Sequence, residues 1–384
     1  MPVIRARDGC LTLGQPPIDR TLSMIRLAWL LLAGLALGHP LPLLAAEDPD
    51  RLPAYPQRFD RERPLVAVIG ENGMTELVDY VIPYGLLSRS GVAEVVALST
   101  RPGAMQMMPA LRLLADADID AFDRRHPEGA DYVIVPAVHH SDDPTLLRWV
   151  RQQADKGATL VAICDGVLVV GNAGVLQGRR ATGHWYSRSQ RESDFPDTRW
   201  VDDRRYLADG KVITTAGVSA ALPATLALVE AIGGRDKARA LAGEIGLPGW
   251  SSRHDGASFQ LGASGYLTAA GNLLAFWRHE ELGLPVQPGV DEMALALRAD
   301  AWSRTFRSEA LALAETAEPI RTRNGLVLLP EPVQAHPGIP RLAADDAPLA
   351  QLFDSTLAAI AERYDPGTAE LVARQLEYTP GLNE

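Results

Sequence analysis

The chain has 384 residues, of which 47% are hydrophobic and 22% are charged, so it can bury at least one full core. Its 48 acidic residues outnumber its 37 basic residues and give a formal net charge of -11. Because a nucleic-acid-binding face needs clustered lysine and arginine, we expect a globular protein without a nucleic-acid partner.

The amino-terminal segment has the three parts of a secretory signal. Met24 is followed by a basic residue, Arg26, then by an apolar stretch over residues 27–38, and then by small residues that end at Ala46. The apolar stretch of about a dozen residues is short for a membrane span, which needs roughly 20. We therefore expect Met24 to be the true start, residues 1–46 to comprise a signal peptide and an upstream segment, and cleavage to fall near Ala46. The mature protein would be periplasmic or secreted, without a stable membrane span.

Export would leave the mature protein with one thiol. The two cysteines are Cys10 and Cys164, and Cys10 lies upstream of the predicted cleavage site. A lone thiol in an oxidising compartment is exposed to oxidation unless it is shielded or used. This arrangement favours a function for Cys164, although buried structural cysteines are also common.

Strand-like and helix-like segments alternate through the middle of the chain. The pattern predicts strands at residues 64–70, 92–99, 131–138, 158–164 and 211–217, and helices at residues 76–91, 143–157, 166–176 and 219–234. Continuously apolar strands are typical of a parallel sheet that helices cover on both faces. We therefore predict an α/β domain over residues 62–245.

The last third of the chain has a different character. Helical spacing covers residues 258–284, 291–315 and 347–364, and residues 324–332 resemble a short strand. The sequence thus predicts a mainly helical C-terminal extension over residues 250–384. Its apolar faces favour a homo-oligomer.

Cys164 stands where a predicted strand meets a predicted helix. In a parallel sheet this edge carries the active crevice, and a strand-to-helix turn would aim the side chain out of the sheet. Free backbone N–H groups at a helix start stabilise a thiolate, and the Asp165 amide would be available to an oxyanion. We interpret the Asp165 side chain as a helix cap. His184 is a candidate base, but residue types alone leave a structural role for Cys164 and His184 open.

A family resemblance strengthens the catalytic interpretation. The stretches that carry it are "DYVIVP", "ATLVAICDGVLVVGNAGVLQGRRATGHW" and "KVITTAGVSAALPATLALVEAIGG", in which "AGVLQGRRATGHW" is the most specific. They resemble the ThiJ/PfpI family, which has the class I glutamine amidotransferase-like, flavodoxin-like fold, and in particular its GlxA-like, isonitrile-hydratase-like branch. The resemblance covers residues 64–245 and says little about the rest.

The resemblance implies three catalytic residues. Cys164 would be the reactive thiol, His184 would lie across from it, and the family's acid on the first helix would be Asp79, four residues before Pro83, with Glu76 as a substitute. An acid beside a thiolate shares a proton with it, because two adjacent anions repel. Cys164 would then attack an electrophilic carbon while Asp79 carries the proton.

The oxyanion site departs from the family pattern. Many members have a Gly-Gly pair after the third strand, where this chain has Ala137 and Val138. The predicted donors are the backbone amides of Asp165 and Val138. Valine tolerates fewer backbone angles than glycine, so the departure affects the second donor and predicts a pocket that is either narrower or inactive.

We predict neither a cofactor nor a metal. The adjacent His139 and His140 lack a third ligand at a typical spacing and are interpreted as the rim of a pocket. Two functions stay open. The first is an exported cysteine-dependent hydratase, hydrolase or lyase that acts on a small electrophile, and the second is a non-catalytic ligand-binding or redox-sensing module related to GlxA-like transcription regulators. Both have a small molecule as the partner.

Overall fold

The computed structural model describes residues 51–381. The predicted signal segment, with Cys10, Met24 and Ala46, lies outside the described residues. The strands are β1 Leu65–Gly70, β2 Thr75–Glu76, β3 Glu94–Ser99, β4 Ala104–Met108, β5 Arg112–Leu114, β6 Ala117–Asp118, β7 Tyr132–Val135, β8 Thr159–Ala162, β9 Arg180–Ala181, β10 Arg199–Trp200, β11 Tyr206–Asp209, β12 Val212–Thr215, β13 Glu280–Pro285, β14 Ser308–Ala314, β15 Ile320–Arg321, β16 Val327–Leu328 and β17 Glu331–Pro332. The α-helices are α1 Leu77–Ser90, α2 Ile119–Arg125, α3 Pro144–Asp155, α4 Gly166–Asn172, α5 Arg188–Asp194, α6 Ala221–Gly233, α7 Arg235–Glu244, α8 Ala263–Leu274, α9 Glu292–Ser303, α10 Leu352–Arg363 and α11 Pro366–Gln375.

A seven-stranded sheet organises the α/β core in the order β11-β12-β8-β7-β1-β3-β6. Its neighbouring strands are parallel, except that β11 runs antiparallel to β12. All six residues of β1 are buried, as expected for a strand with a layer of side chains on each face. The predicted flavodoxin-like parallel sheet is confirmed.

The two faces of β1 belong to two separate apolar layers. Val66 and Val68 pack in the layer that contains apolar residues of α1, α6 and α9. Leu65, Ala67 and Ile69 point the other way and pack with Trp149 of α3 and Val169 of α4. This alternation follows from the period of two in a β-strand, and it produces the predicted sandwich of helices, sheet and helices.

The sequence signals for helix ends agree with the structure at two helices. The side chain of Asp143 accepts hydrogen bonds from the Thr145 and Leu146 amides at the start of α3. Gly91 has a φ of 65° and ends α1 in the left-handed conformation. The helix predicted over residues 166–176 is shorter than expected, because the chain turns at Gly174, where φ is 75°.

The C-terminal region, residues 250–381, joins the core through a sheet. Strand β16 pairs with β5, and β15 extends the same five-stranded sheet, so the described residues form one compact unit. Four helices, α8 to α11, supply most of the regular structure of this region. A parallel three-stranded sheet, β13-β14-β17, accompanies them.

Two strands occur where the sequence indicated helix. Strand β13 lies at the end of the stretch 258–284, and β14 lies at the end of the stretch 291–315. Phe306 separates α9 from β14 with a φ of 57°, a left-handed conformation that a helix cannot continue through. The residues of β14, "SEALALA", also match a period of two, which the longer helical pattern concealed.

None of the helices within residues 51–381 combines the length and the hydropathy that a membrane span requires.

Candidate active site

Cys164 occupies a sharp turn between β8 and α4. Its φ is 55°, a value that few residues other than glycine adopt. Its backbone N–H donates a hydrogen bond of 3.0 Å to the Thr215 hydroxyl at the end of β12. A Cβ at Gly166 would lie only 2.0 Å from the Val135 carbonyl oxygen, so the elbow depends on glycine at that position. Local strain of this kind is characteristic of functional sites.

Asp165 does not cap α4 through its side chain, and our interpretation of it as a helix cap is therefore wrong. The Ser187 hydroxyl instead donates a hydrogen bond of 2.6 Å to Oδ1 of Asp165. The other carboxylate oxygen, Oδ2, lies 3.9 Å from Nδ1 of His184. The Asp165 backbone amide donates toward the Cys164 sulfur, which is the position predicted for an oxyanion donor.

His184 is buried beside the elbow, with 9% of its side chain exposed. Its Nε2 lies 3.1 Å from the Gln375 carbonyl oxygen. The nucleophilic or coordinating atoms of Cys164, Asp165 and His184 all lie within 4.8 Å of one another. The nineteen residues between Cys164 and His184 thus bring the two side chains together, as the family resemblance implied.

Asp79 lies in the first turn of α1 and is fully buried. Its Oδ2 accepts a hydrogen bond of 3.1 Å from the Ala137 amide, and its own amide donates to the Glu76 side chain. Burial raises the pKa of Asp79 to about 7, although the Ala137 hydrogen bond opposes the shift. Burial and the charge of Asp79 also raise the pKa of Glu76.

A cation from the C-terminal region pairs with Glu76 and with a third acid, Asp300. Nη2 of Arg304 lies 2.8 Å from Oε1 of Glu76, and Nε of Arg304 lies 2.8 Å from Oδ1 of Asp300. Burial lowers the pKa of Arg304, but the charges of Asp300 and Glu76 outweigh it and raise the pKa overall. Arg304 is also close enough to Cys164 to interact with it electrostatically.

The thiol of Cys164 is perturbed in the direction opposite to our expectation. Burial raises its pKa well above the usual range, and the charges of Asp79, Asp165 and Glu76 raise it further. The hydrogen bond from the Asp165 amide lowers it by less than these effects. The helix start was expected to favour a thiolate, whereas the surrounding acids favour the protonated thiol.

The second predicted oxyanion donor lies beside the acid cluster. Val138 is buried and forms an isolated bridge with Thr75. The amide of the neighbouring Ala137 donates its hydrogen bond to the Asp79 carboxyl group. His139 and His140 are exposed, and Nδ1 of His140 lies 3.7 Å from a Glu71 oxygen.

Residues 374–377, here called the C-terminal cover, lie over the site. The Trp185 indole donates a hydrogen bond of 2.7 Å to the Arg374 carbonyl, next to the contact between His184 and Gln375. Glu377 is buried and accepts hydrogen bonds of 2.7 Å from the Gly217 amide and 2.7 Å from His254. Cys164, beside His184, is only 4% exposed.

Sequence reasoning missed the residues that the C-terminal region contributes: Asp300, Arg304, Gln375 and Glu377. One signal was present, because Asp300 and Arg304 are four residues apart in a stretch of helical pattern, which is the spacing of an intrahelical ion pair. The carbonyl of Gln375 carries no sequence signal, since every residue has one.

The fold and the elbow define a class of protein: an α/β protein with a buried cysteine at the carboxyl edge of a parallel sheet. The model of the DJ-1/PfpI family matches residues 65–231. A protein encoded in the cpoL 5' region of Streptomyces lividans is 32% identical over 115 residues, which cover 26% of this chain and 79% of that protein. The chain belongs to the DJ-1/PfpI family.

Two further relatives match over shorter stretches. The HTH-type transcriptional regulator CdhR of Pseudomonas aeruginosa is 36% identical over 86 residues, which are 22% of this chain and 25% of the regulator. The isonitrile hydratase of Pseudomonas putida is 32% identical over 99 residues, which are 26% of this chain and 42% of the hydratase. The match thus spans a quarter of the regulator and about two fifths of the hydratase.

Similar solved structures include that of Drosophila melanogaster DJ-1beta. It has a TM-score of 0.43 and 22% identity, and the match covers 47% of this chain and 96% of that one. A ThiJ/PfpI family protein from Pseudomonas syringae has a TM-score of 0.42 and 19% identity, with coverage of 54% and 81%.

Proposed function

We propose that this protein is a cysteine-dependent enzyme that adds water to, or cleaves, a small electrophile, and that it works in the periplasm or outside the cell. The observation that carries the proposal is the pairing of a thiol on a left-handed elbow with a buried acid whose pKa is about 7. A group that titrates near neutral pH both accepts and donates a proton under ordinary conditions. Such perturbed groups concentrate at functional sites.

The protons can be followed through such a reaction. Ionised Asp79 takes the proton from the Cys164 thiol, and the sulfur forms a bond to the electrophilic carbon. Asp79 then donates that proton to the substrate atom that gains the electron pair. Water adds to the same carbon and the carbon–sulfur bond breaks, so that the thiol is regenerated. The Asp165 amide, already directed at the sulfur, would stabilise the charge that develops beside it.

The substrate would be small, because the C-terminal cover closes the site. For an isonitrile, the sulfur and the proton from Asp79 would both be added to the terminal carbon, which gives a thioimidate. Water would then add to that carbon, the nitrogen would take a proton from the water, and the carbon–sulfur bond would break to release a formamide and the thiol. The match to an isonitrile hydratase supports this compound class as the first to test. Dicarbonyls and thioesters are further electrophilic candidates.

Alkylation of Cys164 by iodoacetamide across a range of pH tests the proposal. We expect the folded wild-type protein to react only at alkaline pH, and Asp79→Asn to move the profile to lower pH because one negative charge beside the sulfur is lost. The profile of His184→Ala shows whether His184, the other residue predicted to act with Cys164, also affects the reactivity of the thiol. Turnover of an isonitrile by the wild type and its loss in Cys164→Ser would complete the case. The enzyme proposal would be overturned by a thiol that does not react with iodoacetamide. It would also be overturned if the pH profile of alkylation in all three proteins were that of an unperturbed cysteine.

A non-catalytic ligand-binding or redox-sensing module is the second candidate. The raised pKa of the Cys164 thiol and its burial under the C-terminal cover favour this function, as does the match to a transcriptional regulator. Binding of isonitriles, dicarbonyls or thioesters without turnover would select the module over the enzyme.

Assembly and export are separate proposals. Helix α8 and the turn after it expose large apolar side chains, which support the predicted homo-oligomer: Tyr266, Leu267, Leu273, Leu274, Phe276 and Trp277. Sedimentation of the wild type and of Leu267→Asp would test the oligomer, since loss of the assembly in the variant is expected. Fractionation of expressing cells would test export, and recovery of an uncleaved chain in the cytoplasm would contradict it.

A further inference from the structure

The hydrogen bond at Nε2 determines which nitrogen of His184 carries the proton. A carbonyl oxygen only accepts, so the contact of 3.1 Å with Gln375 requires an N–H at Nε2. In the neutral ring, Nδ1 is therefore a lone pair. That lone pair faces Oδ2 of Asp165 at 3.9 Å and lies within 4.8 Å of the Cys164 sulfur. Three electron-rich atoms thus converge on one small space.

We propose that Cys164, Asp165 and His184 form a three-ligand site for a thiophilic divalent cation, with Zn²⁺ as the best match. Sulfur, imidazole nitrogen and carboxylate oxygen are the ligands that zinc prefers, and three protein ligands leave the fourth tetrahedral position open. Ligand atoms around a tetrahedral zinc lie roughly 3–4 Å apart, so the distances between these side chains need only small adjustments. The inference goes beyond the proposed function and holds whether or not Cys164 turns over a substrate.

Two of the three side chains, those of His184 and Asp165, are each held by a contact to an atom other than the proposed coordinating atom. The Gln375 carbonyl accepts a hydrogen bond from Nε2 of His184 and leaves Nδ1 available to a metal ion. The Ser187 hydroxyl donates a hydrogen bond to Oδ1 of Asp165 and leaves Oδ2 available to the same ion. Histidine bound to a backbone carbonyl and carboxylate bound to a hydroxyl are the supporting contacts that orient ligands in established zinc sites.

The charges balance when zinc binds. The Cys164 thiol loses its proton to solvent as the sulfur–zinc bond forms, so one proton is released for each metal ion bound. The two positive charges of the ion then offset the thiolate and the Asp165 carboxylate. Metal binding and nucleophilic attack use the same sulfur, so they exclude each other.

Cobalt(II) is the probe for the test, because a thiolate ligand gives it a charge-transfer band and a tetrahedral site gives it strong visible bands. We expect the full-length chain to show both with one equivalent of Co²⁺, and one equivalent of Zn²⁺ to remove them. Cys10→Ser should keep the spectrum, and so should His139→Gln with His140→Gln, which removes an exposed histidine pair elsewhere. Cys164→Ala should lose the thiolate band completely, and His184→Gln should lose the tetrahedral spectrum.

Ser187→Ala keeps all three ligands and tests the geometry without touching them. We expect its affinity for Zn²⁺, measured by competition with a chromogenic chelator, to fall by about 10- to 100-fold. A wild-type spectrum without a thiolate band, a band that survives in Cys164→Ala, or an unchanged affinity in Ser187→Ala would overturn the site.

Alkylation separates this inference from the proposed enzyme. Zn²⁺ should protect Cys164 from iodoacetamide. If the metal-free thiol is inert while the cobalt spectrum is present, the enzyme proposal fails and the metal site stands. If the metal-free thiol reacts and Zn²⁺ gives no protection, the metal site fails and the enzyme proposal stands.

Discussion

The α/β core and the C-terminal region contribute different chemistry to one site. The core supplies the thiol of Cys164, which follows a strand of the parallel sheet. It also supplies the acids Glu76 and Asp79, which lie at the start of the first helix. The C-terminal region supplies Arg304, which forms an ion pair with Glu76, and the Gln375 carbonyl, which accepts a hydrogen bond from His184. The core thus provides the predicted catalytic side chains, and the added region provides an ion-pair partner for Glu76 and a hydrogen-bond partner for His184.

The largest expected effect comes from removing the cation that joins the two regions. Arg304→Ala leaves the buried Glu76 and Asp300 carboxyls without their partner, and we expect the free energy of unfolding to fall by about 3–5 kcal/mol. Urea unfolding measures the loss. The matched control is Arg112→Ala, because Arg112 also bridges the two regions, through Glu331, but the two side chains are 43% and 32% exposed. Its removal should cost at most about 1 kcal/mol. Equal losses in the two variants would contradict a special role for Arg304.

The sequence predicted the core better than the added region for physical reasons. Strands such as β1 are buried on both faces and read as continuous apolar runs, and the elbow is marked by a strand end, Cys164 and Gly166 in succession. In the C-terminal region, strand β14 is rich in alanine and leucine, which favour helices, and it forms a strand through its pairing with β13 and β17.

The candidate site shows the same division. Cys164, His184 and Asp79 were found because family motifs mark them, and the structure brings them to one edge of the sheet. The direction of the thiol pKa was missed because it depends on burial and on several charges together, which a linear pattern does not give. Their catalytic roles stay predictions.

The elbow in the core can be broken without touching the C-terminal region. Gly166→Ala places a Cβ 2.0 Å from the Val135 carbonyl, and we expect a loss of about 3 kcal/mol because backbone must move. Gly243→Ala is the control, since a Cβ at this exposed helical position meets no atom within 4 Å. That change should stabilise the protein by up to about 1 kcal/mol. Thermal or urea unfolding of both variants should therefore show shifts of opposite sign, and a shift of the same sign would refute the packing argument.

The pH dependence of the free energy of unfolding tests whether ionisation of the buried Asp79 destabilises the folded protein. Its pKa in the folded protein, about 7, is higher than the ordinary value of 3.8, so the folded state holds its proton while the unfolded state has lost it. Stability from this group is complete below about pH 4 and is lost as the pH rises through about 7. Asp79→Asn lacks this loss, so its stability relative to the wild type should improve by on the order of 2 kcal/mol between about pH 5 and about pH 8. A difference that is constant with pH in urea unfolding would contradict the raised pKa.

The smallest expected effect concerns a single hydrogen bond between the core and the C-terminal cover. Trp185→Phe removes the indole N–H that donates to the Arg374 carbonyl at 2.7 Å, and we expect a loss of about 1 kcal/mol together with faster hydrogen exchange at residues 374–377. Trp200→Phe is the matched control, because the buried Trp200 indole N–H has no hydrogen-bond partner within residues 51–381. Removing it should change stability by less than about 0.5 kcal/mol and leave exchange in the cover unaltered. If both variants loosen the cover equally, general packing of tryptophan rather than this hydrogen bond holds the cover on the site.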